Sequence, residues 1–391
     1  MSVINKNPVD IFKEPMFFGS DLGIARYDMQ KHRIFEQLTE KQLSFFWRPE
    51  EVDLTTDKMQ FAKLSKFEQN LFTKNLKYQI LLDTLQGSAP AKTFGELVSD
   101  GSLDTWIQTW TFSETIHSRS YTHILRNVFA DPSVIFEEVI NDKAIMKRAN
   151  SIAHYYDNLA DAVIKYKTFK KSWEENPNEL HEEWLKSQLV DSMKHLYLCL
   201  HSVNALEAIR FYVSFVCSFN FFENMKVMEG NMKIIKLIAR DEQLHLKGTQ
   251  YIIRQIQNGG EGLLFAEVAK SLEKEATNVF IEAVHQETDW ADELFFDENG
   301  NVESVPGLNP DILKNYIYYI TKTRMIGCGL KVSGFILEKA SKTHPIPWVR
   351  SYLNSEAVQF APQEVEISTY LISQIDNDLD EDALKRFKRY L

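Results

Sequence analysis

Apolar side chains along this chain return with the 3.6-residue period of an α-helix almost everywhere, and no convincing alternating strand pattern interrupts them. Ser65-Lys-Phe-Glu68 has the form of a capping box and predicts a helix that runs to about Gly87, where Gly-Ser-Ala-Pro ends it. Long helices are expected near 102–129, 133–170, 180–222, 225–257, 262–296 and 309–338. The connections Ala130-Asp-Pro, Asn258-Gly-Gly and Asp297-Glu-Asn-Gly carry turn chemistry. His344-Pro-Ile-Pro-Trp348 stops helical structure, and the lysine- and glutamate-rich stretch 167–183 reads as a solvated helix hairpin. The pattern as a whole predicts one all-α domain without an obvious internal repeat.

Two of these helices carry polar residues on their apolar stripes. With Leu103 as origin and roughly 100° per residue, Glu114, His117 and Tyr121 fall at about 20°, 320° and 0°. The stripe itself consists of Trp106, Ile107, Trp110, Ile124, Leu125 and Val128. Glu242 and His245 likewise fall among Ile234, Ile235, Ile238, Ile252 and Ile253. A third Glu-x-x-His, Glu282-Ala-Val-His285, is an internal control. Its members lie roughly 100° and 160° from the centre of their stripe, so they face water. Placement on the buried face, rather than the bare pattern, carries the information.

Composition narrows the function. Apolar content of 44% and aromatic content of 12% suit a chain with a large core. Lys+Arg 44 against Asp+Glu 55 gives a net charge of -11, which argues against nucleic-acid binding as the main activity. Cys199, Cys217 and Cys328 show no C-x-x-C spacing and no even count, as expected of buried thiols in a reducing cytoplasm. The first residues lack a secretory pattern. The longest apolar run, Leu196 to Phe222, contains Asn204, Glu207 and Arg210, so a core helix is expected rather than a membrane span.

Carboxylate and imidazole pairs facing inward from two helices suggest a metal pair, which needs further carboxylates from other core helices. Ferritin-like binuclear bundles use one carboxylate from each of two helices plus Glu-x-x-His from each of two others. Glu207 shares a face with Leu200, Val203, Phe211, Phe215 and Phe222, where an unpaired carboxylate is costly; the alternative use is an ion pair with Arg210. Asp83 lines up with Phe72, Leu76 and Ile80, although a satisfied polar residue near a helix end would look the same. Carboxylates and imidazoles without thiolates suit iron or manganese, and dioxygen chemistry favours iron. Tyr121, one turn after His117, would sit beside the metals with Phe211, Phe215 and Ile238 as its apolar walls. Simple packing is the alternative for that tyrosine.

Several stretches resemble one family, the radical-generating small (beta) subunit of class I ribonucleotide reductase, in particular its enterobacterial and T4-like phage forms. They are Glu14-Pro-Met-Phe-Phe-Gly, Gln42-Leu-Ser-Phe-Phe-Trp-Arg-Pro-Glu-Glu, Trp110-Thr-Phe-Ser-Glu-Thr-Ile-His-Ser-Arg-Ser-Tyr-Thr-His, Asn204-Ala-Leu-Glu-Ala-Ile-Arg-Phe-Tyr-Val-Ser-Phe, Ile238-Ala-Arg-Asp-Glu-Gln-Leu-His and Ala361-Pro-Gln-Glu-Val-Glu. The resemblance implies a ferritin-like di-iron helical bundle over 1–354, a flexible tail over 355–391 and a homodimer. It implies two iron ions per chain as an oxo-bridged pair, assembled with dioxygen, with a stable radical on Tyr121. Asp83, Glu114 and His117 would hold one iron, Glu207 and His245 the other, and Glu114 and Glu242 would bridge them. Trp47 and Asp241 would pass the radical outward and Tyr370 would relay it at the subunit boundary, with Glu364 assisting proton movement. Trp47 read without the resemblance is a packing aromatic.

The tail would dock on a large subunit that reduces ribonucleotides to deoxyribonucleotides, in the cytoplasm of the cell or of a phage host. The basic ending around Phe387, Tyr390 and Leu391 departs from many relatives and bears on partner choice. Rival readings are a ferroxidase, a di-iron monooxygenase or desaturase, and a non-enzymatic adaptor.

Overall fold

A computed structural model of the chain describes residues 5–297 and 299–353. Tyr370, Glu364 and the expected tail, 355–391, lie outside the described residues. After a non-helical stretch over 5–32, those residues form helices joined by turns and loops, with isolated β-bridges such as Phe17 to Val98 and no longer strand among them.

Helix α1 spans Arg33–Ser44 and α2 spans Thr55–Phe61, two helices absent from the sequence expectation. Helix α3, Lys66–Gln86, opens on the expected capping box, with Glu68 N–H donating to Ser65 Oγ and Ser65 N–H to the Glu68 carboxylate. The short α4, Ala89–Thr93, carries Pro90 in its first turn. Helix α5, Gly101–Val128, is capped by Asp100, whose carboxylate accepts from Leu103 N–H at 2.9 Å.

The helix expected over 133–170 is two helices, α6 (Pro132–Val139) and α7 (Lys143–Glu175). Asp142 explains the break, because its side chain accepts from the N–H groups of Ala144 and Ile145 and so starts a new helix. Helix α8, Glu179–Ala205, completes the hairpin expected there and runs through a π-helical turn, Leu206–Arg210, into α9, Phe211–Glu223. Helix α10 covers Glu229–Gln257.

The stretch expected over 262–296 divides at Leu272 into α11, Leu263–Ser271, and α12, Glu273–Leu294, although neither glycine nor proline stands at the junction. Helix α13, Pro310–Gly327, stops short of 338 because Gly329 takes φ +73, a left-handed geometry that glycine tolerates. The small helices α14, Gly334–Lys339, and α15, Val349–Leu353, come next.

The centre is built from α3, α5, α10 and the rod formed by α8, the π turn and α9, which pack on one another. Helix α1 lies on α5 and α10, α7 lies along α8, and α12 and α13 cover the π turn. The apolar rod Glu179–Glu223 is long enough to cross a membrane, but its most apolar window is 94% buried within the protein, as in a core helix. Each buried leucine, isoleucine or phenylalanine contributes about 1.5–3 kcal/mol. An isolated carboxylate moved into such a medium costs far more than any one of them returns. Every acid in this core therefore needs a partner.

Candidate metal centre

The four central rods each bring acids or imidazoles to one place. Asp83 comes from α3, Glu114 and His117 from α5, Glu207 from the π turn, and Glu242 and His245 from α10; all six are fully buried. Ligand atoms of Asp83, Glu114, His117 and Glu242 lie within 4.8 Å of one another, and so do those of Glu114, Glu207, Glu242 and His245. Glu114 and Glu242 belong to both sets, the placement required of carboxylates between two ions. The control pair Glu282 and His285 lies on the exposed face of α12.

His117 turns Nδ1 to Glu114 at 3.0 Å and Glu242 at 3.2 Å, while Nε2 meets Asp241 at 3.3 Å. His245 Nδ1 lies 3.0 Å from Glu114 and 3.1 Å from Glu242. Burial pulls both imidazoles toward neutrality, yet the facing carboxylates win. They hold His117 well above its ordinary range and His245 at about 10. Burial pushes Glu114 up, but the two rings bring it below the usual carboxylate range. Asp83 and Glu207 stay well above that range, through burial and then through neighbouring carboxylates.

Hydrogen bonding within the protein leaves this cluster incomplete. Both oxygens of Asp83 and Oε2 of Glu207 are buried without a hydrogen-bond partner. Orphaned carboxylate oxygens converging in a dry core fit a binuclear cation site, and the all-oxygen and imidazole donor set suits iron or manganese. Glu207 does not pair with Arg210, which instead meets Glu287 at 3.1 Å.

Tyr121 is wholly buried, and its hydroxyl makes no hydrogen bond. Burial, then the charge of the nearby Asp83 carboxylate, pushes the phenol well above its ordinary range. Phe211, Phe215 and Ile238 are also wholly buried, with the two phenylalanine rings stacked at 5.6 Å. Trp47, next to the turn Pro49–Glu51, donates its Nε1–H to Asp241 Oδ2 at 2.9 Å. A continuous set of contacts thus runs from Trp47 through Asp241 to His117.

Other members of the site escape the sequence pattern. Trp110 belongs to the apolar stripe of α5, yet its indole N–H donates to Glu114 at 2.8 Å from one turn before it. Gln86, one turn after Asp83, donates to Glu207 at 2.6 Å. The first could have been found from its i to i+4 spacing; the second crosses between helices and leaves no local signal.

The helical rods and their inward carboxylate and histidine pairs define a ferritin-like bundle with a buried carboxylate and histidine cluster of the kind that could bind a metal. The description "Ribonucleotide reductase, small chain" matches residues 26–332, and the chain belongs to that family of oxidoreductase subunits. It is 55% identical over 100% of its length to the ribonucleoside-diphosphate reductase subunit beta of Enterobacteria phage T4, covering 99% of that protein. It is 49% identical to the ribonucleoside-diphosphate reductase 1 subunit beta of Escherichia coli O157:H7, over 97% of each chain. Among solved structures, the ribonucleotide reductase R2 subunit from Clostridium botulinum superposes with a TM-score of 0.69 at 23% identity. That match covers 90% of this chain and 98% of the other and shows the shared fold. Members of this family act together with a large subunit.

Proposed function

We propose that this chain holds two iron ions between its central helices and keeps a radical on Tyr121 for use by a large subunit that reduces ribonucleoside diphosphates to deoxyribonucleotides. The observation that carries the reading is the convergence of six buried donors, among which both oxygens of Asp83 and one of Glu207 lack a hydrogen-bond partner within the protein. Asp83, Glu114 and His117 would hold one ion, Glu207 and His245 the other, with Glu114 and Glu242 shared. Bound ferrous iron would supply the electrons that reduce dioxygen during assembly.

The surrounding side chains govern the fate of the phenol. Oxidation of Tyr121 removes one electron and one proton, and Asp83 is the carboxylate whose charge bears most on that phenol. Burial keeps water and reductants from the ring, with Phe211, Phe215 and Ile238 as its apolar surroundings. Trp47 would carry the oxidising equivalent outward by reversibly losing an electron, and Asp241, which accepts its indole N–H, would hold the resulting positive charge or its proton. Tyr370 and the tail 355–391, read as a docking segment apart from the helical domain 1–354, would continue that route. A homodimer working in a cytoplasm, that of a bacterial host if the chain is phage-encoded, completes the reading.

Electron paramagnetic resonance tests it directly. Ferrous iron and air added to the full-length chain should produce a tyrosyl signal with two irons bound. Tyr121→Phe should abolish the signal and retain the metal. A signal that survives this substitution, or a chain that binds no iron, would reject the assignment.

A further inference from the structure

One oxygen of Glu207 is already committed. Gln86, at the end of α3, sends its Nε2 to Glu207 Oε1 at 2.6 Å, and its own Oε1 lies 2.7 Å from the Tyr156 hydroxyl on α7. Gln86 is wholly buried and Tyr156 nearly so. The remaining oxygen, Glu207 Oε2, has no partner, and Glu207 belongs to the set of ligand atoms gathered with His245.

The directions of these bonds are dictated by what each group can do. As a metal ligand Glu207 is ionised and only accepts, so the Gln86 amide must present its NH₂ to it. That leaves the amide oxygen facing Tyr156, which must then donate. Without the phenol hydroxyl, the amide loses the group that fixes its rotation, and its oxygen can turn toward the carboxylate. Glu207 also stands on a π-helical turn, a rare feature that occurs frequently at functional sites.

We infer that Tyr156 and Gln86 form an orienting relay, two positioning residues that set which oxygen of Glu207 faces the metal pair. Tyr156 acts only through Gln86, and Gln86 acts only on the half of the site that contains Glu207 and His245. The relay rests on the proposed metal pair. Outer partners of metal ligands commonly govern affinity by 10–100-fold, as a general magnitude.

The test is a titration of the metal-free, full-length chain with manganous ion, monitored by the loss of the free-ion electron paramagnetic resonance signal. The parent should take up two ions. Gln86→Leu should keep the first and weaken the second by about 10–100-fold. Tyr156→Phe, which removes a single hydroxyl and serves if Gln86→Leu does not fold, should weaken that same second ion several-fold. The double variant should bind like Gln86→Leu alone.

Parent-like affinity for the second ion in Tyr156→Phe or in Gln86→Leu would overturn the relay, as would losses that add in the double variant. A parent chain that takes up no ion would overturn the metal reading itself, an outcome distinct from failure of the relay alone.

Discussion

Two buried charged clusters meet the same rod of this protein and treat charge in opposite ways. Around the π turn, Glu207 belongs to a group of four acids and two imidazoles in which acids outnumber bases and both oxygens of Asp83 find no hydrogen-bond partner. Three residues on, Arg210 faces Glu287 at 3.1 Å, and Glu287 also accepts from Tyr78 at 2.5 Å and lies 3.9 Å from Arg148. Arg148 is tied further to the backbone oxygens of Ala144 and Gln286 and sits over the Trp290 ring at 4.7 Å. The second cluster is closed in charge, its one acid set against two guanidinium groups from within the chain, although Glu287 Oε2 also lacks a hydrogen-bond partner. The first is open, and the difference separates charge that supports the fold from charge arranged for a ligand. Depth alone does not, because Glu207 and Glu287 are equally buried.

The largest test of this contrast removes the acid of the closed cluster. Glu287→Ala leaves two buried guanidinium groups facing a void and should cost about 3–5 kcal/mol of stability, read by denaturant unfolding. A loss below about 1 kcal/mol would show that the guanidinium groups do not depend on this carboxylate and that the cluster is not closed.

Glu261 stands between the two cases. It accepts from Met16 N–H at 2.6 Å, and the His32 ring lies 3.9 Å away. Burial outweighs the Met16 bond and the Lys31 charge and pushes this carboxyl from its ordinary 4.5 up to about 7. Since the folded state holds the proton more tightly than the unfolded state, the stabilising contribution is complete below about pH 4.5 and is lost as the pH rises through about 7. Unfolding of Glu261→Gln at pH 5 and pH 8 should therefore show a pH-dependent loss smaller than that of the parent by about 2–3 kcal/mol. Equal losses in the two proteins would remove Glu261 as the source.

In the open cluster, the sign reverses relative to Glu287. Asp83→Asn takes away a buried carboxylate with no hydrogen-bond partner, so the metal-free chain should gain about 1–2 kcal/mol while its affinity for ferrous or manganous ion falls. Destabilisation of the metal-free chain would place Asp83 with the structural acids. The smallest effect belongs to the exposed pair. Glu282→Gln and His285→Gln should change stability by no more than about 0.5 kcal/mol and leave the number of bound ions unchanged.

These contrasts also separate what could be read locally from what could not. The capping box at Ser65 and the inward direction of Glu114, His117, Glu242 and His245 are set by spacing within one helix, and spacing is present in the sequence. So is the outward direction of Glu282 and His285. The break at Asp142 is a local event too, but it depends on a side-chain cap that apolar periodicity does not register.

The order of residues alone settles that the chain is helical, which faces are buried and that two of those faces carry an acid and an imidazole. Whether Glu207 turns to Arg210 or away from it, where Asp83 points, and that Gln86 and Tyr156 stand behind Glu207 were settled only when α3, α7, the π turn and α12 came together. Helical phase is a property of residues three and four apart, whereas the partner of a buried charge is whichever group on another helix reaches it first. In this protein those groups lie as far apart in sequence as Gln86 and Glu207, which meet at 2.6 Å.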